Sequence, residues 1–170
     1  MNQLEVFFDY VCPYCLRGHN YLLEILPEFP GLEIKWRPCE AHPRPEDYGR
    51  HSDICIRGMF FALENNLDIF EYHKFMYNAA MKDKIDIEDA AALSEYLKPL
   101  TDPAEFRAAM ESGKHIDELN NANDYAYEKS GVWAIPSYRM NDRKLDSKEG
   151  VGIKKDQLAA FIRETNENGD

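Results

Sequence analysis

Two cysteines stand two residues apart in Cys12-Pro13-Tyr14-Cys15, the spacing of a pair that exchanges disulfides. In that chemistry the thiolate is the nucleophile, and an ordinary thiol with a pKa of about 8.5 is mostly protonated at neutral pH. A working pair therefore needs one sulfur held as a thiolate and a second that resolves the mixed disulfide. Cys12 fits the first role and Cys15, one turn further on, the second. Pro13 stiffens the turn between them. Tyr14 brings no positive charge, so the thiolate is expected to be less extreme than one beside His or Arg.

The flanking residues say how the pair is held. Leu4-Glu5-Val6-Phe7-Phe8 reads as a mostly buried strand, and Leu16 to Leu26 as a helix with Pro13 near its first turn. A strand that runs straight into a helix through the two thiols aims Cys12 at unpaired N–H groups and the positive end of the helix dipole. A helix end is worth roughly 0.3–2 kcal/mol, against about 1.4 kcal/mol per pKa unit. Pro27 and Pro30 stop the helix, and Leu32-Glu33-Ile34-Lys35-Trp36 alternates as a second strand. Strand, helix and strand in so short a span imply a right-handed crossover and a parallel pair.

Helical periods alone follow a Pro-rich loop. One helix carries Ile56, Phe60 and Leu63. A second carries Ile69, Tyr72, Phe75 and Met76 behind an Asp68 cap. The third is expected to open at Asp86 and to hold Ala90, Leu93 and Leu97. Asp102-Pro103-Ala104-Glu105 starts a fourth, with a cap and an N-terminal proline. Ile116, Leu119, Ala122 and Tyr125 line a fifth, closed by Gly131. Strand signals return at Ser137-Tyr138-Arg139-Met140, with a turn at Asn141-Asp142 and an edge strand from Lys144 to Asp146. A last helix holds Leu158, Phe161 and Ile162. The expected order is βαβ, a helical block at about residues 50–130, then ββα, in one α/β domain spanning residues 1–170.

Val132-Trp133-Ala134-Ile135-Pro136-Ser137 places a proline just before a strand. An X–Pro bond reaches the cis form at a cost of only about 0.5–1 kcal/mol. A cis Pro136 facing the thiols would present the backbone of Ile135 to an extended substrate, which would pair by strand addition.

A formal charge of −11 over 170 residues argues against nucleic acid as a partner, because phosphate binding needs clustered Lys and Arg. No run approaches the roughly 18 apolar residues of a membrane span. Met1-Asn2-Gln3 carries no basic region, and no apolar signal run follows it, so the chain is read as cytoplasmic. In a reducing compartment structural disulfides are rare. Cys39 and Cys55 are then expected as two partly buried free thiols, the alternative being a second redox pair. Zinc could use Cys12, Cys15 and His19, or Cys39 and His42, but a lone C-x-x-C lacks the two further ligands, and no metal is expected. Asp9 has two readings: a buried proton acceptor for Cys15, or a strand-end carboxylate capping the turn. His51, His73 and His115 are expected to be solvated.

Taken together, Phe7-Phe8-Asp9-Tyr10-Val11-Cys12-Pro13-Tyr14-Cys15, the helical insertion and Ile135-Pro136-Ser137 resemble the DsbA family of thioredoxin-like proteins. Asp9, three residues before Cys12, resembles the branch with FrnE-type oxidoreductases and 2-hydroxychromene-2-carboxylate isomerases. The resemblance spans nearly the whole chain. It implies a thioredoxin-like fold, Cys12 as nucleophile, Cys15 as resolving thiol and Pro136 as the cis proline. It also implies protein disulfides, dithiols or glutathione as partners, with no bound cofactor. Related isomerases and kappa-class glutathione transferases bind glutathione on this scaffold, but they usually carry Ser at the first thiol position. The other alternative is a binding module whose cysteines are relics.

Overall fold

The computed structural model describes residues 2–167. Its centre is β1 (Gln3–Phe8), whose apolar run is buried on both faces: Leu4, Val6, Phe7 and Phe8 are all in the core. A strand of this kind must be flanked on both edges and covered on both sides. Helix α1 (Pro13–Ile25) leads from β1 to β2 (Glu33–Pro38), and the two strands pair in parallel, Gln3 opposite Glu33 and Phe8 opposite Pro38. β2 runs two residues beyond the expected Trp36, because its pairing with β1 continues to the end of that strand. On the other edge β1 pairs antiparallel with β3 (Ser137–Met140), Phe7 opposite Ser137. A tight turn, with Asn141 at φ 52°, joins β3 to β4 (Arg143–Asp146). The sheet order is β2-β1-β3-β4.

Between β2 and β3 lies an all-helical insertion: α2 (Asp53–Glu64), α3 (Ile69–Tyr77), α4 (Ala90–Tyr96), α5 (Pro103–Glu111) and α6 (Ile116–Asp124). Helices α3 and α6 each end in a wide π turn, Asn78–Lys82 and Tyr125–Lys129. Caps are local chemistry, and two fall where the sequence puts them. The Asp68 carboxylate accepts from the amides of Phe70 and Glu71, and that of Asp102 from Ala104. The third cap differs. Asp86 closes a turn on the Glu88 amide, and Asp89 caps α4 through the Ala91 amide. Either aspartate suits a cap, and Asp89 is the one next to the first residue that continues helically.

Gly58 of α2 sits where α3 and α5 press closest. A Cβ there would run into the Tyr72 hydroxyl and the Phe106 ring. The core made by this crossing continues through Phe61, Leu93 and Met110 to the sheet. Arg57 closes the end of α5 by donating to the carbonyls of Met110 (2.7 Å) and Lys114 (2.9 Å). Helix α7 (Lys155–Glu167) lies beside α1, tied by Lys155–Glu24 and Arg163–Glu28 ion pairs. Among the described residues no helix is long and apolar enough to cross a membrane.

Candidate active site

The first turn of α1 builds the site. Cys12 is its N-cap, in extended conformation (φ −97°, ψ 115°), and Pro13 follows at a position whose N–H would have no helical partner. The Cys12 carbonyl takes the amides of Cys15 and Leu16, both at 3.1 Å. The Cys15 amide also lies 3.3 Å from Cys12 Sγ, so the first sulfur occupies the place of a capping oxygen. That is the local reason why a C-x-x-C at a strand-to-helix junction activates its first thiol.

The two thiols are split by environment. Cys12 is part-exposed, whereas Cys15 is 2 % exposed. The Cys15 thiol donates to the Cys12 sulfur and lowers its pKa below that of an ordinary thiol. The amides of Cys15 and Tyr14 act the same way, against burial and the Asp9 charge. Burial drives Cys15 well above the usual thiol range, and its bond to Cys12 holds its proton further. Cys12 Sγ is also 3.8 Å from the Ile135 carbonyl oxygen.

The loop carrying Ile135 is fixed from three sides. The Ile135–Pro136 peptide bond is cis. Ser137 Oγ donates to the Ala134 carbonyl and Ser147 Oγ to that of Pro136, both at 2.5 Å. Pro136 and Tyr138 then pack onto α1 at Gly18, where a Cβ would lie 2.8 Å from the Tyr138 hydroxyl and 3.2 Å from Pro136 Cγ. On the opposite flank, Arg17 stacks 5.1 Å from the Tyr14 ring and donates to the Val151 carbonyl, so the Gly-punctuated segment before α7 lies against Tyr14.

Asp9 is fully buried at the end of β1. Its Oδ2 accepts from the Ala41 amide at 2.7 Å, tying β1 to the loop after β2. Burial raises its pKa against that hydrogen bond. Its charge in turn raises both Cys12 and Cys15, so all three groups share one electrostatic neighbourhood.

Several residues around the site carry no signal in one dimension. His73, expected in solvent as a histidine on a helical segment, is fully buried, because α3 lays that face against the sheet. Its Nδ1 is hydrogen-bonded to the Tyr10 hydroxyl at 2.9 Å, across 63 residues. Its ring lies 4.3 Å from Trp36 and 5.5 Å from His19, which is itself buried one turn below Cys15. Tyr77 and Tyr138 complete a wall beside the thiols, close enough for the sulfurs to affect their titration. Cys39 and Cys55 are free thiols with no exposure. Burial pushes Cys39 up to about 12 and Cys55 above the ordinary thiol range. Among the described residues no three His, Cys, Asp or Glu side chains converge as metal ligands.

The family model of the DSBA-like thioredoxin domain matches residues 3–163. The uncharacterized protein YwbO of Bacillus subtilis is 24% identical over 186 aligned positions, covering 88% of this chain and 92% of that protein. The crystal structure of a probable DsbA oxidoreductase from Streptomyces coelicolor superposes with a TM-score of 0.81 at 14% identity, covering 97% of this chain and 90% of that one. The cytosolic disulfide reductase DsbM of Pseudomonas aeruginosa gives a TM-score of 0.70 at 16% identity, with 98% and 99% covered. The chain belongs to the DSBA-like thioredoxin domain family.

Proposed function

We propose that this member of the DSBA-like thioredoxin family exchanges disulfides with protein or small-thiol substrates through Cys12 and Cys15. One observation carries the reading: the first turn of α1 aims its Cys15 amide at the part-exposed Cys12 Sγ, whose pKa the Cys15 thiol and that amide lower, while burial raises that of Cys15. In the reducing direction, the Cys12 thiolate attacks a substrate disulfide. A Cys12–substrate disulfide forms and the other substrate sulfur leaves as a thiolate that takes a proton from water. Cys15 then loses its proton and attacks Cys12 Sγ. The second substrate sulfur leaves with its electron pair, and the Cys12–Cys15 disulfide remains. Oxidation of a dithiol is the reverse. The electron pair moves between sulfurs, so no bound cofactor is needed, and glutathione is one thiol that could return the pair to its dithiol form.

Asp9 is the group assigned to receive the Cys15 proton, being buried, raised in pKa and close to both sulfurs. Ile135 is assigned to the substrate main chain, since its carbonyl faces Cys12 Sγ. A cytoplasmic setting fits these roles, as a dithiol is kept reduced there.

The test is a pair of variants on an oxidised protein substrate such as insulin. Cys12→Ser should abolish exchange, and Cys15→Ser should leave a Cys12-linked mixed disulfide detectable by intact mass. Full activity in Cys12→Ser would overturn the assignment. Glutathione-dependent turnover of an organic electrophile that survives Cys15→Ser would move the chain to the transferase class.

A further inference from the structure

A pocket of about 390 Å³ opens beside the Ile135 loop, with Glu40, Ala41, Glu46, Tyr127, Trp133 and Ile135 in its lining. It begins at Ile135, whose carbonyl faces Cys12 Sγ, so a side chain next to the reacting cysteine of a bound substrate falls within its reach. Two aromatic rings form its sides. Trp133 is 67 % exposed and Tyr127 37 % exposed, so both rings are open to an incoming side chain.

The polar groups of the pocket are acidic. Glu40 is 6 % exposed and rigidly placed. Asn123 grips it twice, donating to Oε2 at 2.7 Å and accepting from the Glu40 amide at 2.8 Å. The Tyr127 hydroxyl donates to the Glu40 carbonyl at 2.5 Å. Glu46 stands at the rim, with Oε2 3.5 Å from His42 Nδ1. Asp9 lies one layer behind, on the amide of the pocket residue Ala41. The nearby Arg44 is already engaged by Asp53 and Glu88. Carboxylates at the floor and rim with aromatic sides are the surroundings that suit a guanidinium or ammonium, by charge pairing and by stacking on the rings.

We infer that this pocket receives a basic side chain, Arg or Lys, adjacent to the cysteine of a protein substrate. The inference rests on the disulfide-exchange reading and narrows its substrate class. Substrates with an acidic flank, and glutathione with its net negative charge, fit poorly.

The experiment uses disulfide-linked homodimers of Gly-Xaa-Cys-Xaa-Gly, with Xaa as Arg, Ala or Glu. Each is reacted with the reduced full chain at low ionic strength, and each rate is normalised to that with dithiothreitol, which removes the intrinsic reactivity of the peptide. The Arg peptide should react at least about tenfold faster than the Glu peptide, and the ratio should shrink at high salt. Glu46→Gln and Glu40→Gln should each reduce the ratio severalfold, while the remote Glu95→Gln leaves it unchanged. Glu40→Gln keeps an amide oxygen for Asn123, and Glu46, being half-exposed, gives a second variant that does not disturb the core. A normalised ratio near one, or a ratio that Glu95→Gln lowers as much as Glu46→Gln, would overturn the pocket and leave disulfide exchange standing. No reaction with any peptide would overturn both.

Discussion

Replacing His19 with Leu should remove much of the acid sensitivity of this fold. The ring is 7 % exposed and packed among Trp36, His73 and Tyr77 at centroid distances of 5.8, 5.5 and 5.3 Å. Burial lowers its pKa from 6.5 to about 4. In the unfolded chain the imidazole is free to bind a proton at the higher value. Below about pH 6.5 the unfolded state therefore holds more protons than the folded one, and stability falls with pH until the folded ring also titrates near 4. The whole difference, about 2.5 units at about 1.4 kcal/mol each, is worth about 3.4 kcal/mol. Between pH 7 and pH 5 the share lost is about 1.8 kcal/mol. His73 adds to the loss with the same sign, since burial and then the neighbouring His19 depress it as well. Asp9 and Glu40 act oppositely, their folded values being raised. Asp9 and Glu40 are present in both proteins and cancel, whereas His73 loses its His19 neighbour in the variant, so the comparison reports His19 together with its coupling to His73. Urea denaturation, followed by tryptophan fluorescence at pH 7 and pH 5, gives the two differences directly. The wild type should lose about 1.8 kcal/mol more than His19→Leu over that range. Equal losses would show that the ring accepts its proton without leaving its packing, and the reasoning would fail.

Asp9→Asn should lower the pKa of both thiols and yet slow the resolving step. Removing the carboxylate charge lets the Cys12 pKa fall further, so its alkylation by iodoacetamide should persist to lower pH. On the role proposed for Asp9, the resolving step loses its proton acceptor, so the mixed disulfide should live at least about tenfold longer in quenched-flow experiments, with a flattened pH profile. An unchanged lifetime would return Asp9 to a purely structural tie on Ala41. Gly18→Ala should destabilise the protein although alanine is the better helix former by about 1 kcal/mol. The added methyl meets Tyr138 and Pro136 at 2.8 and 3.2 Å, and overpacking of this kind costs about 1–3 kcal/mol. A higher denaturation midpoint in the variant would contradict the close approach of α1 to the Ile135 loop.

The sequence was most informative where the physics is short-ranged. The alternation of Leu4, Val6 and Phe8, the caps at Asp68 and Asp102 and the return strand at Ser137 depend on bonds and faces within a few residues, and the structure has them there. The one misplaced cap, Asp86 for Asp89, is a choice between two competent residues three apart. His73 is a different kind of miss. Between Tyr72 and Lys74 a histidine is compatible with either face of the helix, and only the packing of α3 against β1 and β2 turns it inward onto Tyr10 and Trp36.

The candidate site divides along the same line. Cys12-Pro13-Tyr14-Cys15 at a strand-to-helix junction is sufficient to fix which sulfur meets the helix amides, because that geometry is set by the first turn alone. How deeply Cys15 is buried, that Asp9 shares its surroundings, and that the Ile135 carbonyl arrives at Cys12 from 123 residues away are decided by the fold. Desolvation and charge coupling depend on everything within several ångströms of a group, whatever its place in the chain. The acidic, aromatic-sided pocket belongs to that second class. Glu40 follows β2, while Tyr127 and Trp133 close the helical insertion 87 residues and more further on, and only the closing of that insertion onto the sheet brings the two segments together.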